Sequence, residues 1–64
     1  MKAINSYTNK NYTVLMIKYN NETFGGFYSV ELSYNDNILK EKDGLCLDAA
    51  GEYFFKTVNQ LKNL

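Results

Sequence analysis

The chain has 64 residues, with seven Lys against seven Asp plus Glu, no Arg, no His and one Cys. One thiol excludes an internal disulfide, and the lack of a second thiol or any imidazole excludes a Cys/His zinc site. A formal charge of zero without a single guanidinium argues against nucleic acid as the main ligand, because duplex binders rely on surplus cations and Arg forks.

Sixty-four residues make one domain, and a chain this short buries only roughly 60% of its unfolded surface. With disulfide and zinc set aside, self-association or a larger partner is the expected supplement, and a homodimer is expected. No stretch is long and apolar enough to cross a membrane. The first six residues, Met1-Lys2-Ala3-Ile4-Asn5-Ser6, lack an apolar signal core, so a cytoplasmic location is expected. Asn, Lys, Tyr and Ile are abundant while Arg, Pro, His and Trp are missing, a bias toward AT-rich codons. It points to a low-GC bacterium, or to the cytoplasm of such a host if the gene belongs to a phage.

In chain order, residues 1–10 are polar and weakly patterned. They either fray or add a short edge strand through Lys2-Ala3-Ile4. A strand is predicted at about 11–20, where Tyr12-Thr13-Val14-Leu15-Met16-Ile17-Lys18-Tyr19 is apolar on both parities. Asn20 to Gly26 forms the reversal, with Gly25-Gly26 supplying positive-φ freedom. The next strand, at about 26–34, alternates Tyr28, Val30, Leu32 and Tyr34 with Ser29, Glu31 and Ser33, one dry face and one wet. Asn35-Asp36-Asn37 is a turn, since these side chains tolerate left-handed backbone. Ile38 to Lys42 reads as a short third strand whose alternating charges suit a sheet edge, closed by a turn at Asp43-Gly44.

From about residue 47 the period becomes helical, and Leu47, Ala50, Phe54, Val58 and Leu61 make one stripe. Asp48 suits an N-cap and the helix dipole. Gly51, costly in a helix, suggests a close approach to the sheet. The expected fold is α+β: a three-stranded antiparallel meander with one C-terminal helix packed on one face. Val30 and Leu32 should meet Phe54, Val58 and Leu61, joined by either Leu15 and Ile17 or Val14 and Met16. The other parity of the first long strand is then left uncovered.

No catalytic constellation is visible, so an enzyme is not expected, nor is a cofactor or a bound metal. Cys46 lies just before an apolar stripe and reads as a small buried residue. Glu31 stands alone on its wet face, and Asn35-Asp36-Asn37 lacks the spacing of a calcium loop. Two Asn-x-Thr sequons, at Asn11 and Asn21, read as chance in an Asn-rich chain. Six Tyr and four Phe fit a protein interface, which needs aromatic area without surplus charge. Tyr12, Val14, Met16 and Phe27 are the expected interface, with Leu15, Ile17 and Tyr19 as the alternative parity. Single-stranded nucleic acid stacked on Tyr12, Tyr19 and Tyr28 is the competing reading.

The strand Gly25-Gly26-Phe27-Tyr28-Ser29-Val30 and the helix start Gly44-Leu45-Cys46-Leu47-Asp48-Ala49-Ala50 together resemble the HicB-type antitoxin domain over about residues 12–62. On that resemblance Leu47, Asp48 and Ala50 match the family's leucine, acid and alanine at the helix start. Asn35-Asp36-Asn37 stands where the family has a proline-glycine-cysteine loop. The resemblance implies a non-catalytic dimer that neutralises a toxin. In size and make-up the chain is also similar to small phage anti-defence and anti-CRISPR proteins, which bind and inhibit a larger host protein.

Overall fold

The computed structural model describes residues 2–23 and 25–64. Four strands and a helix follow one another: β1 (Lys2–Asn9), β2 (Tyr12–Thr23), β3 (Gly26–Tyr34), β4 (Asn37–Leu45) and α1 (Leu47–Lys62). The sheet is an antiparallel meander in the order β1-β2-β3-β4. It therefore has four strands where three were predicted. The added strand is β1, whose Ser/Thr/Asn-rich sequence has no apolar alternation and pairs because β2 offers it a free edge.

Two of the connections are the tight turns that suit twisted hairpins, with both central residues at positive φ. Lys10 and Asn11 have φ of 51° and 70°, and Asn35 and Asp36 have 50° and 68°. The two tips touch: the Asn35 N–H donates to the Asn11 carbonyl at 3.0 Å. Beside them the Tyr12 and Tyr34 rings lie 4.6 Å apart, tilted by 50°. The reversal between β2 and β3 is tighter than expected, since Thr23 already pairs with Gly26. Phe24, within the expected loop, lies outside the described residues.

Asp43-Gly44 does not close the last strand. β4 continues to Leu45, and Gly44, at φ +68°, sits in a bulge between the Tyr28–Leu45 and Val30–Lys42 pairs.

Which parity of β2 meets the helix is settled by register. Val14 stands opposite Leu32 and Met16 opposite Val30, whereas Leu15 faces Glu31 and Ile17 faces Ser29. Directly opposed residues share a face, so Val14 and Met16 join the dry side of β3. There they pack with Val30, Ala50, Phe54, Val58 and Leu61 into the core. The Asn9 side chain donates to the Leu61 carbonyl at 2.7 Å and ties the C-terminal turn of α1 to β1.

The helix starts where its period predicts, but its cap is Cys46 rather than Asp48. Cys46 Sγ accepts from the Ala49 N–H at 3.5 Å, and Asp48 lies in the first turn. Cys46 is thus exposed, not buried, because it spans the gap between β4 and α1. Leu47, expected on the buried stripe, is exposed, and Thr57 is buried instead, its hydroxyl donating to the Tyr53 carbonyl at 2.9 Å. Gly51 has no tertiary neighbour within 4 Å of where a Cβ would stand, so close packing on the sheet is not what it serves. Among the described residues no helix is long and apolar enough to cross a membrane.

Candidate interaction surface

The four expected interface residues are not brought together. Val14 is 0% exposed and Met16 is 5% exposed, both under α1, so neither is available to another molecule. Tyr12 is half-buried against the core, its ring tilted against that of Tyr34. Phe27 is exposed, on the opposite parity of the sheet.

The alternative parity is not an open apolar stripe either. Ile17 is only 5% exposed, set between Ala3 of β1 and Ser29 of β3. Ser29 is fully buried, and its hydroxyl donates to Tyr19 Oη at 3.5 Å. The rest of this helix-free face is hydroxyl-rich: the Thr8 and Thr13 hydroxyls meet at 3.2 Å, and the Ser33 hydroxyl donates to the Thr13 carbonyl at 3.4 Å. Leu15, opposite Ser6 and Glu31, is half-buried, so little of the excess apolar area expected on β2 is left open for a second copy.

Large exposed apolar side chains are spread over the molecule: Ile4 on β1, Phe27 and Tyr34 on β3, Leu47 and Phe55 on α1, and Leu64 at the C-terminus. An adjacent pair, Ile38 and Leu39, lies on β4. Among the described residues this outer strand pairs with β3 on one side and with no strand on the other. All six residues from Asn37 to Lys42 are exposed, with Ile38 at 59% and Leu39 at 55%. An open edge presents unpaired N–H and C=O groups, and apolar side chains beside them make it adhesive.

A single residue arranges the charges on this strand. Ser33 pairs with Ile38 but Leu32 pairs with Lys40, leaving Leu39 as the extra residue of a bulge. Without it, the turn at Asn35-Asp36 would set Glu31 opposite Lys40. With it, Glu31 stands opposite Glu41, while Lys40 and Lys42 stand opposite Leu32 and Val30 on the helix side. Glu31 is therefore not alone on its face, contrary to the sequence reading. A side-chain hydrogen bond and repulsion from Asp43, with a smaller contribution from Glu31, raise the Glu41 carboxyl above its ordinary pKa. Among the described residues, no group of His, Cys, Asp or Glu is placed to hold a metal ion.

Two open grooves flank the sheet. One, of about 260 Å³, runs between β4 and α1 and is lined by Lys42, Leu45, Ala49, Glu52, Tyr53 and Lys56. Its rim is marked by Lys42 Nζ, 6.0 Å from the Tyr53 ring centroid. The other, of about 460 Å³, is lined by Lys18, Tyr19, Asn20, Phe27 and Tyr28. It gathers two of the three tyrosines of the nucleic-acid reading. Tyr12, the third, lies at the far end of β2 beside the hairpin tips.

Nothing in the sequence singled out Ile38 and Leu39, because exposure of an apolar pair depends on where the helix ends up. The Glu31–Glu41 opposition was hidden for a different reason: a bulge leaves no mark in a strand's composition. Comparison of this chain with protein-family models, with curated proteins and with solved structures finds no match.

Proposed function

We propose that this chain is a non-enzymatic interaction protein that binds a larger protein and blocks it, as a phage or mobile-element inhibitor of a bacterial defence system, or an antitoxin, would. The observation that carries the reading is the open edge of β4 with Ile38 and Leu39 exposed upon it. An edge of this kind takes an added strand from another polypeptide, with main-chain bonds for affinity and side-chain pockets for specificity. The groove between β4 and α1 adjoins that edge and offers Leu45 and Tyr53 to a partner's apolar side chain.

The experiment is affinity capture from a bacterial lysate by the wild type and by an Ile38→Asp/Leu39→Asp variant of equal melting temperature. A protein retained by the wild type and lost by the variant supports the reading. Equal capture by both, or none by either, sinks it.

One observation favours a second reading, a single-stranded nucleic-acid binder. Tyr19, Phe27 and Tyr28 line one groove with Lys18, and Lys2 stands directly opposite Lys18 across the β1–β2 pair. Stacking rings beside paired cations suit a base and its phosphate. Anisotropy of a labelled single-stranded oligonucleotide distinguishes the two. Affinity that falls steeply with salt and is lost in Tyr28→Ala supports the nucleic-acid reading, whereas a dry protein interface responds weakly to salt.

A further inference from the structure

We propose that the edge of β4 accepts, as an added antiparallel strand, an extended segment of a different protein whose side chains alternate acidic toward the helix side and basic toward the other, and that this edge rejects a second copy of its own chain. The inference rests on the protein-binding reading above and specifies the partner's chemistry.

The argument is geometric. Residues directly opposed in antiparallel strands point to the same face of the sheet. On β4 the faces are sorted by charge: Lys40 and Lys42 point to the helix side, opposite Leu32 and Val30, and Glu41 points to the other side, opposite Glu31. Asp43, two residues on, lies beside the Glu41 carboxyl and raises it above its ordinary pKa.

A closed two-fold dimer joined along this edge keeps both helices on one side, so only residues of the same face can oppose. Lys40 then meets Lys42 while Glu41 meets its own copy. Shifted by two residues, Lys42 meets Lys42 while Glu41 meets Asp43. Both of these central registers set lysine against lysine and carboxylate against carboxylate, and like charges directly opposed are destabilising. A two-fold axis along the strand is no escape, because it places N–H against N–H at one height.

A foreign strand is free of that symmetry. One with acids opposite Lys40 and Lys42 and bases opposite Glu41 and Asp43 satisfies both rows at once. Ile38, opposite Ser33 on the helix-free side, then adds an apolar contact at the end of the ladder. The bulge at Leu39 sets the sense of this code, since it puts Glu41 rather than Lys40 across from Glu31 and so turns the lysines to the helix side.

Two synthetic peptides of identical composition test the pairing rule on the full chain. One alternates Lys and Glu between flanking Val and Thr; its isomer carries the Lys residues in one block and the Glu residues in another. In amide-resolved titrations the alternating peptide should shift the Asn37–Asp43 signals and bind about tenfold more tightly than the block isomer, the scale of several cross-strand charge pairs. Equal binding of both at β4 would overturn the charge rule and leave the protein-binding reading standing. Absence of any shift on β4 with either peptide would overturn both.

Sedimentation tests the rejection. The wild type should remain a 7.4 kDa species at high micromolar concentration. A Glu41→Gln/Lys42→Glu variant, in which the central register gains two opposite-charge pairs and loses its carboxylate clash, should associate at least about tenfold more strongly. A wild-type dimer through β4, or two equally monomeric proteins, would refute the claim that charge keeps this edge from its own copy.

Discussion

A Cβ on Gly26 would stand 2.5 Å from the Gly44 carbonyl carbon and 2.6 Å from the carbonyl oxygens of Gly44 and Leu45. These are backbone atoms in the bulged part of β4, which cannot swing aside as a side chain would. Gly26→Ala should therefore cost at least about 2 kcal/mol, at the upper end of overpacking effects. Gly51 is the opposite case, with no tertiary neighbour within 4 Å of where its Cβ would stand. Gly51→Ala should stabilise by about 0.5–1 kcal/mol through helix propensity and a less flexible unfolded chain. Denaturant titrations of the pair would show midpoints moving in opposite directions; a shared direction would mean that β4 yields or that Gly51 has a tertiary role.

Glu41 supplies the pH dependence at this scale. Its carboxyl is raised by Asp43 and Glu31, so it binds its proton more tightly folded than unfolded. Stability from this group is therefore lost as pH rises from the unfolded value through the folded one, and stays lost above. Glu41→Gln should raise the melting temperature at pH 7 and bring no gain below about pH 4, where the wild-type group is protonated in both states. An equal gain at both pH values would show that the carboxylates are not in conflict.

At the level of elements, the hairpin tips and the helix stripe are the points of leverage. Asn35 and Asp36 both occupy left-handed backbone, a conformation that costs most non-glycine residues roughly 1–2 kcal/mol. Asp36→Gly completes the Asn-Gly pair that such turns favour and should stabilise by about 0.5–1 kcal/mol. The gain should appear as slower unfolding or faster folding with the same denaturant dependence, since no surface is added. Phe54, 2% exposed at the centre of the helix face, belongs to the other extreme. Phe54→Ala should cost about 3–5 kcal/mol. For a domain of this length the whole stability is about 3–10 kcal/mol, so circular dichroism should find the variant largely unfolded or melting far lower.

For the molecule as a whole, the accessible surface of 4430 Å² is close to the roughly 4200 Å² of a compact folded monomer of 7.4 kDa. Val14, Met16 and Ile17 of β2 are buried within the single chain. The melting temperature should hence be independent of protein concentration over a hundredfold range. A rise with concentration would reveal coupled association.

The residues alone were enough for the α+β class, the 26–34 strand, the Asn35-Asp36 turn and the Ala50–Phe54–Val58–Leu61 stripe, because alternation, helical period and left-handed tolerance are properties of neighbours along the chain. They could not show that β1 would pair, that Val14 and Met16 rather than Leu15 and Ile17 would meet the helix, or that Glu31 would face Glu41. Those outcomes depend on register between segments distant in sequence. One additional residue in a strand, Leu39 here, exchanges the faces of everything beyond it. The alternation Lys40-Glu41-Lys42-Asp43 sorts charge by face in any strand, and the bulge decided that the lysines point to the helix side.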